Sequence, residues 1–520
     1  MLRIRSLALA AALAALGTCA FSAHAQLPEP VAQVLRTTGM ADDALSVLVL
    51  RDGQTVLAHL ADRPMQPAST MKLVTTLVGL ETLGPVFRGR TELRTTGELK
   101  GETLQGDLVL RGGADADFSG EALETMLRSL RNQGIRKIQG QLVVDRQLFN
   151  PARTDLGVAP FDEAPEAYYN VIPDAAMVNK NMLQLDMRST GSRLKLAMQP
   201  DLQGVTIASD MKLVDADCKK WEDGWKLPEA LPQKNGGIKV MLHGTFPKNC
   251  NQSYAINVVD RQDYLDRLFR QTWKRLGGTI SATTTVGTTP ADARLLAEHV
   301  ARPLPEIVRD TNKPSDNALA RTIFLSLGAL EADPVLGSHP LAGAAETSFS
   351  RSDAAVRNWM RAHGINDSGL VLENGSGLSR IERISPVQMG GLLQAGLRSN
   401  WAPEFLASIP IVGVDGTMRR RLHDSPAAGR ARMKTGTLNN VVALAGYVPD
   451  ATGKPLVVAA MVNSDLAGNG RGRAVLDALV DWAAHLNGPA QPVLNVPGQP
   501  APGQAPPVQG PTAQPAEAGK

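Results

Sequence analysis

The sequence predicts an α/β fold in which helices cover an antiparallel sheet assembled from both ends of the chain, interrupted by a large, mainly β insert. Three observations predict it. Strand-like runs from Leu45 to Leu50 and Thr55 to Leu60 flank the turn Arg51-Asp52-Gly53 near the start. The same pattern returns late, from Lys434 onward, over Val441 to Val448 and over Pro455 to Val462. Between them, 91–287 alternates short apolar runs with turn residues, as in Gly106-Asp107-Leu108-Val109-Leu110 and Gly140-Gln141-Leu142-Val143-Val144.

At the start, Arg3 and Arg5 precede an apolar run from Leu7 to Leu16 and an Ala23-His24-Ala25 site, so 1–25 reads as a cleaved export signal. The run is too short to span a bilayer. Leu16-Gly17-Thr18-Cys19 is also similar to a lipoprotein box, with Thr18 a poor fit before the cysteine. The expectation is therefore a periplasmic protein with no integral membrane span, peripheral envelope association staying open.

Beyond the hairpin and a Pro-bearing loop stands Ser69, after which Met71, Leu73, Val74, Leu77, Val78 and Leu80 recur at helical spacing. So much apolar surface implies a buried helix with Ser69 at its first turn. Inside the insert, Tyr264, Leu265, Leu268, Phe269, Trp273 and Leu276 trace an amphipathic helix closed by Gly277-Gly278. Helices are expected again around Ser315-Asp316-Asn317 and from Ala354 to His363, and a last one over 472–486. The split main domain thus spans 26–90 and 288–488, and the Pro/Gln/Ala-rich segment 489–520 is expected to be a disordered tail.

The 520 residues exceed what one core usually serves, and 43% hydrophobic content supports a folded multidomain body. A net charge of only +3 without a basic run gives nucleic-acid binding no support. The eight histidines are scattered and form no His-Glu-x-x-His spacing, so neither a catalytic zinc nor another cofactor is expected. With Cys19 removed, Cys218 and Cys250 remain and could close a disulfide in an oxidising compartment.

Three short strings carry the chemistry: Ser69-Thr70-Met71-Lys72, Ser315-Asp316-Asn317 and Lys434-Thr435-Gly436. Each alone is more often a helix cap or an exposed edge than a catalytic motif. In this order they form the signature of serine acyl-transfer enzymes. Residues three apart share a helix face, so Lys72 can take the proton that keeps the Ser69 hydroxyl a weak nucleophile. That requires a neutral amine, which burial and a second cation such as Lys434 favour. Ser315 is placed to relay the proton to the leaving amine, and the Asn317 amide offers a donor and an acceptor to substrate. Lys434 and Thr435 would meet a terminal carboxylate, with Gly436 permitting close approach, and the amides of Ser69 and Thr437 are candidate donors to the oxyanion.

Together with Gly106-Asp107-Leu108-Val109-Leu110-Arg111-Gly112-Gly113, Asn374-Gly375-Ser376-Gly377-Leu378-Ser379-Arg380 and Asp415-Gly416-Thr417-Met418-Arg419, these motifs resemble the class C low-molecular-mass penicillin-binding proteins over about 30–487. The resemblance implies a penicillin-recognising, β-lactamase-like transpeptidase domain split around an insert of two mainly β domains, one nested. It also implies a D-alanyl-D-alanine carboxypeptidase/endopeptidase acting on peptidoglycan peptides and inhibited by β-lactams. The family usually has Asp where Asn374 stands. Asp162, Glu163, Glu166 and Asp174 are the candidates for meeting a substrate amino group. A β-lactamase is the first alternative, against which the absence of a Glu-x-x-x-Asn string between Asn317 and Lys434 speaks. A non-catalytic penicillin-sensing or wall-binding module is the second, and it would need neither nucleophile nor base.

Overall fold

The computed structural model describes residues 26–333, 337–341 and 345–487. The expected leader and tail lie outside the described residues. The hairpin strands β1 (Leu45–Arg51) and β2 (Gln54–His59) join β3 (Arg432–Leu438), β4 (Val441–Pro449) and β5 (Pro455–Asn463) in one antiparallel sheet of order β2-β1-β5-β4-β3. The two ends of the chain meet in the middle, where Val47 pairs with Ala460.

Helices cover both faces of this sheet, so its central strands are apolar throughout rather than alternating with polar residues. On one face Leu48, Leu50, Ala443, Ala459 and Met461 pack with α2 (Met71–Leu83), α3 (Asn317–Leu327) and α4 (Pro386–Arg398). On the other, Val47, Val49, Leu444, Val458 and Val462 pack with α1 (Glu29–Thr38) and α5 (Arg471–Ala484). Every residue of α2 except Glu81 and Thr82 is buried, as a helix apolar on so many sides requires. Its neighbour α3 approaches so closely at Gly79 that a Cβ there would lie 2.8 Å from Ile323 Cγ2. This contact sets the two helices that carry the first two motifs side by side.

The insert has its own core, in which strands from four sheets pack against the helices Gly120–Asn132 and Arg261–Arg275. Its five-stranded sheet takes in Arg90–Thr95, where the chain enters, and pairs it with Arg294–Val300, where the chain leaves. That sheet thus continues past residue 287. Among the described residues no helix is long and apolar enough to cross a membrane.

Cys218 and Cys250 form a disulfide that closes a loop of 32 residues' separation. Beside it, Trp221 meets Trp225 and Tyr254 edge-on at 5.5 and 5.1 Å between ring centres. A loop of this length implies about 3–4 kcal/mol of stabilisation through the unfolded chain. The double variant Cys218→Ala/Cys250→Ala should therefore lower the urea midpoint measurably; an unchanged midpoint would show the crosslink to be thermodynamically idle.

Candidate active site

Ser69 lies in a single 3-10 turn, Ala68–Thr70, that runs straight into α2. Lys72 follows one turn later and is completely buried. Its Nζ is 2.9 Å from Ser69 Oγ and donates to Asn317 Oδ1 at 2.6 Å and to the Ser376 carbonyl at 2.5 Å. Those two carbonyls occupy two N–H groups in either protonation state. The remaining direction, toward Ser69, then holds a third hydrogen in the ammonium or a lone pair in the amine. Burial draws the Lys72 pKa down, the carboxylates of Asp316 and Glu382 oppose it and Arg321 adds to it, leaving the amine at about 7. A substantial neutral fraction at neutral pH follows.

Asn317 opens α3, which Asp316 caps by accepting from the Leu319 amide at 2.9 Å. The Asn317 carboxamide gives its oxygen to Lys72 and one N–H to the Tyr169 carbonyl at 2.9 Å. Both ends of the amide are therefore held by the protein, where the sequence pointed to both facing substrate; only the second N–H is left over. Ser315 adopts a left-handed backbone, φ 68°, that aims its hydroxyl at Lys434 Nζ, 2.8 Å away.

Lys434 is also completely buried and spends a second donor on its neighbour's carbonyl, Thr435 O, at 2.9 Å. Burial, and then the charge of Lys72, push its pKa well down. Lys434 thus sits beneath Ser315 with its amine turned to that hydroxyl, while the sequence has it meeting a terminal carboxylate directly. Strand β3 is the sheet's outer strand, and Thr435 donates to Thr417 Oγ1 at 2.8 Å. A Cβ on Gly436 would lie 2.6 Å from the Pro67 carbonyl and 3.0 Å from Ser69 N, so only glycine lets β3 lie against the nucleophile's turn. Thr437, one residue on, is exposed.

Above these groups opens a cleft of about 520 Å³ lined by Ser69, Ser315, Asn317 and Thr437 on the main-domain side and by Phe161, Asp162, Glu163 and Tyr169 of the insert on the other. Of the four acidic candidates, Asp174 is consumed in a buried cluster with Arg146 and Arg261 at 3.0 and 3.2 Å. Glu166 accepts from Trp225 Nε1 at 3.0 Å. Asp162 faces the cleft but accepts from Tyr169 and Asn170 at 2.8 and 2.7 Å, while Glu163 faces it exposed.

Several further groups at the site had no chemical role assigned from sequence, though Asn374 to Arg380 was singled out as a family segment. Ser376 contributes its carbonyl, held by a turn in which Asn374 Oδ1 accepts from the Ser376 amide at 3.0 Å and Asn374 Nδ2 donates to Leu378 O at 2.9 Å. The amide at position 374 does both jobs, whereas a carboxylate there has no N–H to give to Leu378. Glu382, fully buried, receives the amides of Glu373, Asn374 and Gly375, and burial raises its pKa. Gly377, with φ 80°, would place a Cβ 1.9 Å from the Ala68 carbonyl.

The comparisons agree with this geometry. The model of the D-Ala-D-Ala carboxypeptidase 3 (S13) family matches residues 27–486. A D-alanyl-D-alanine carboxypeptidase from Haemophilus influenzae, DacB, is 26% identical over 428 residues, covering 81% of this chain and 85% of its own. One from Actinomadura sp. strain R39 is 28% identical over 486 residues, covering 88% and 85%. The crystal structure of penicillin binding protein 4 from Haemophilus influenzae superposes with a TM-score of 0.72 at 23% identity, over 88% of this chain and 99% of that one. A second structure of that protein, in complex with a β-lactam, superposes with a TM-score of 0.67 at 22% identity over 87% and 97%. The fold expected from the motifs is the fold observed, and the chain belongs to the D-Ala-D-Ala carboxypeptidase 3 (S13) family of serine peptidases.

Proposed function

We propose that the protein cleaves the terminal D-Ala from peptidoglycan stem peptides and the D-alanyl cross-links between them through an acyl-enzyme on Ser69, and that β-lactams acylate the same oxygen. The observation that carries this reading is the buried Lys72 amine, 2.9 Å from Ser69 Oγ with its other donors fixed on carbonyls. In the first step Lys72 accepts the hydroxyl proton as Oγ attacks the D-alanyl carbonyl carbon. The tetrahedral oxyanion is stabilised by the Ser69 and Thr437 amides, a donor of this kind contributing roughly 3 kcal/mol. The proton passes by way of Ser315 to the leaving nitrogen as the C–N bond breaks, and Lys434 stabilises the Ser315 oxygen on the way. Water then hydrolyses the ester. The Ser315 and Thr435 hydroxyls, above buried Lys434, form the region where a terminal carboxylate docks.

The disulfide and the leader read from 1–25 support a periplasmic setting, where this polymer is found. The test is mass spectrometry of intact protein with benzylpenicillin, followed by products from defined muropeptides. One lasting adduct on the peptide containing Ser69, with D-Ala released from monomers and monomers released from cross-linked dimers, is expected. An adduct that vanishes within seconds would favour the β-lactamase reading, and an adduct elsewhere would remove Ser69 as nucleophile.

A further inference from the structure

Four charged groups face Lys72: Asp316 ahead of α3, Arg321 within it, Glu382 from the loop after Gly377, and Lys434 from β3. Of the two anions, Asp316 acts more strongly, and its charge favours the ammonium that cannot accept a proton. The insert supplies an opposing charge. Lys180 Nζ lies 3.1 Å from Asp316 Oδ2 and 2.5 Å from the Tyr168 hydroxyl, which itself donates to the same carboxylate oxygen. The ammonium also stands 4.9 Å from the centre of the Tyr168 ring. The other carboxylate oxygen caps α3, so Asp316 is held from both sides.

The backbone that delivers Lys180 is strained. Asn179, Lys180 and Asn181 are consecutive residues in the left-handed region, with φ of 50°, 53° and 56°. Asparagine tolerates this conformation, whereas lysine has no short side-chain amide to offset the crowding of its Cβ against the following carbonyl. The flanking asparagines lock it: Asn179 Oδ1 accepts from the Gly120 amide at 2.8 Å, and Asn181 Nδ2 donates to Asn257 Oδ1 at 2.7 Å and to the Val259 carbonyl at 2.8 Å. Strain kept in place by so many bonds, at a residue whose side chain ends on the Ser315-Asp316-Asn317 turn, marks a functional constraint.

We infer that Lys180, with Tyr168, is a positioning residue for acyl transfer: reaching from the insert, it orients and offsets the Asp316 carboxylate so that Lys72 remains a competent base. This rests on the reading of Ser69 and Lys72 as nucleophile and base. Loss of the Lys180 charge frees the anion at Asp316. That raises the affinity of Lys72 for its proton.

The experiment is the second-order rate of acylation by a fluorescent penicillin, followed from about pH 5 to about pH 9, for the wild type, Lys180→Met and Lys180→Arg. Lys180→Met should move the acid limb to higher pH by about half to one unit, the scale for a partly screened charge. Its rate should then fall roughly three- to tenfold near pH 6 and rejoin the wild type near pH 9, and Lys180→Arg should restore the limb. An equal loss at every pH, no change at all, or a shift that Arg does not reverse would overturn the inference. Failure of the underlying reading looks different: Ser69→Ala would still be acylated, or the wild type would show no acid limb.

Discussion

Lys72→Ala is expected to lower the acylation rate by roughly 10³-fold at neutral pH, within the range a positioned general base contributes. The acid limb of the wild-type profile, centred near pH 7 because burial holds Lys72 there, should vanish with it. Below that pH the wild-type ammonium directs its hydrogens at Ser69, Asn317 and Ser376, and the rate falls about tenfold per unit. Lys72→Arg should not rescue, since guanidinium stays charged throughout. Removing the amine also leaves the Asn317 and Ser376 carbonyls without their donor, at roughly 1–3 kcal/mol each. Circular dichroism must therefore accompany the kinetics. A folded variant that keeps the limb would reassign the base.

Gly377→Ala should lower acylation roughly 10²-fold or more without touching any reacting group. The added Cβ would lie 1.9 Å from the Ala68 carbonyl and 2.7 Å from Ser69 N, in a backbone with φ 80°. Ala68, itself at φ 45°, has little room to yield on the other side, where β3 lies so close that a Cβ built on Gly436 would stand 3.0 Å from Ala68 Cβ. The nucleophile is thus clamped between two glycines from distant parts of the chain, and displacement of even an ångström is costly to a reaction that depends on orientation. Fluorescent-penicillin labelling alongside a thermal melt checks it. A variant that melts lower yet acylates at the wild-type rate would show that the clamp serves stability alone.

Much of this site was legible because its chemistry is local in sequence. Ser69 and Lys72 share a helix face by spacing alone, and the apolar residues of α2 announced a buried helix before any fold was known. The union of β1 with β5 followed from strand pattern at both ends. What could not be read lies in loops, where no periodicity reports a neighbour. The Ser376 carbonyl and Glu382 reach Lys72 through a turn set by tertiary packing. Lys180 is separated from Asp316 by the remainder of the insert, and only its flanking asparagines hint at left-handed backbone. Lys434 reads in sequence as a cation for the substrate's carboxylate and as a neighbour of Lys72, and its complete burial beside Met433 depends on tertiary packing that a strand pattern does not report.

The marriage of β1 to β5 bears on how the molecule comes into being. β1 meets β2 at once, but its other neighbour follows only after more than four hundred residues, so the core around α2, which includes Ala459 and Met461, cannot be completed before those late strands are made. Such long-range closure is slow and leaves apolar surface uncovered in the meantime. A chain halted before Val441 would possess Ser69, Lys72 and Asn317 yet lack the strands on which they rest. Reactivity therefore arrives last, as a property of the finished polypeptide.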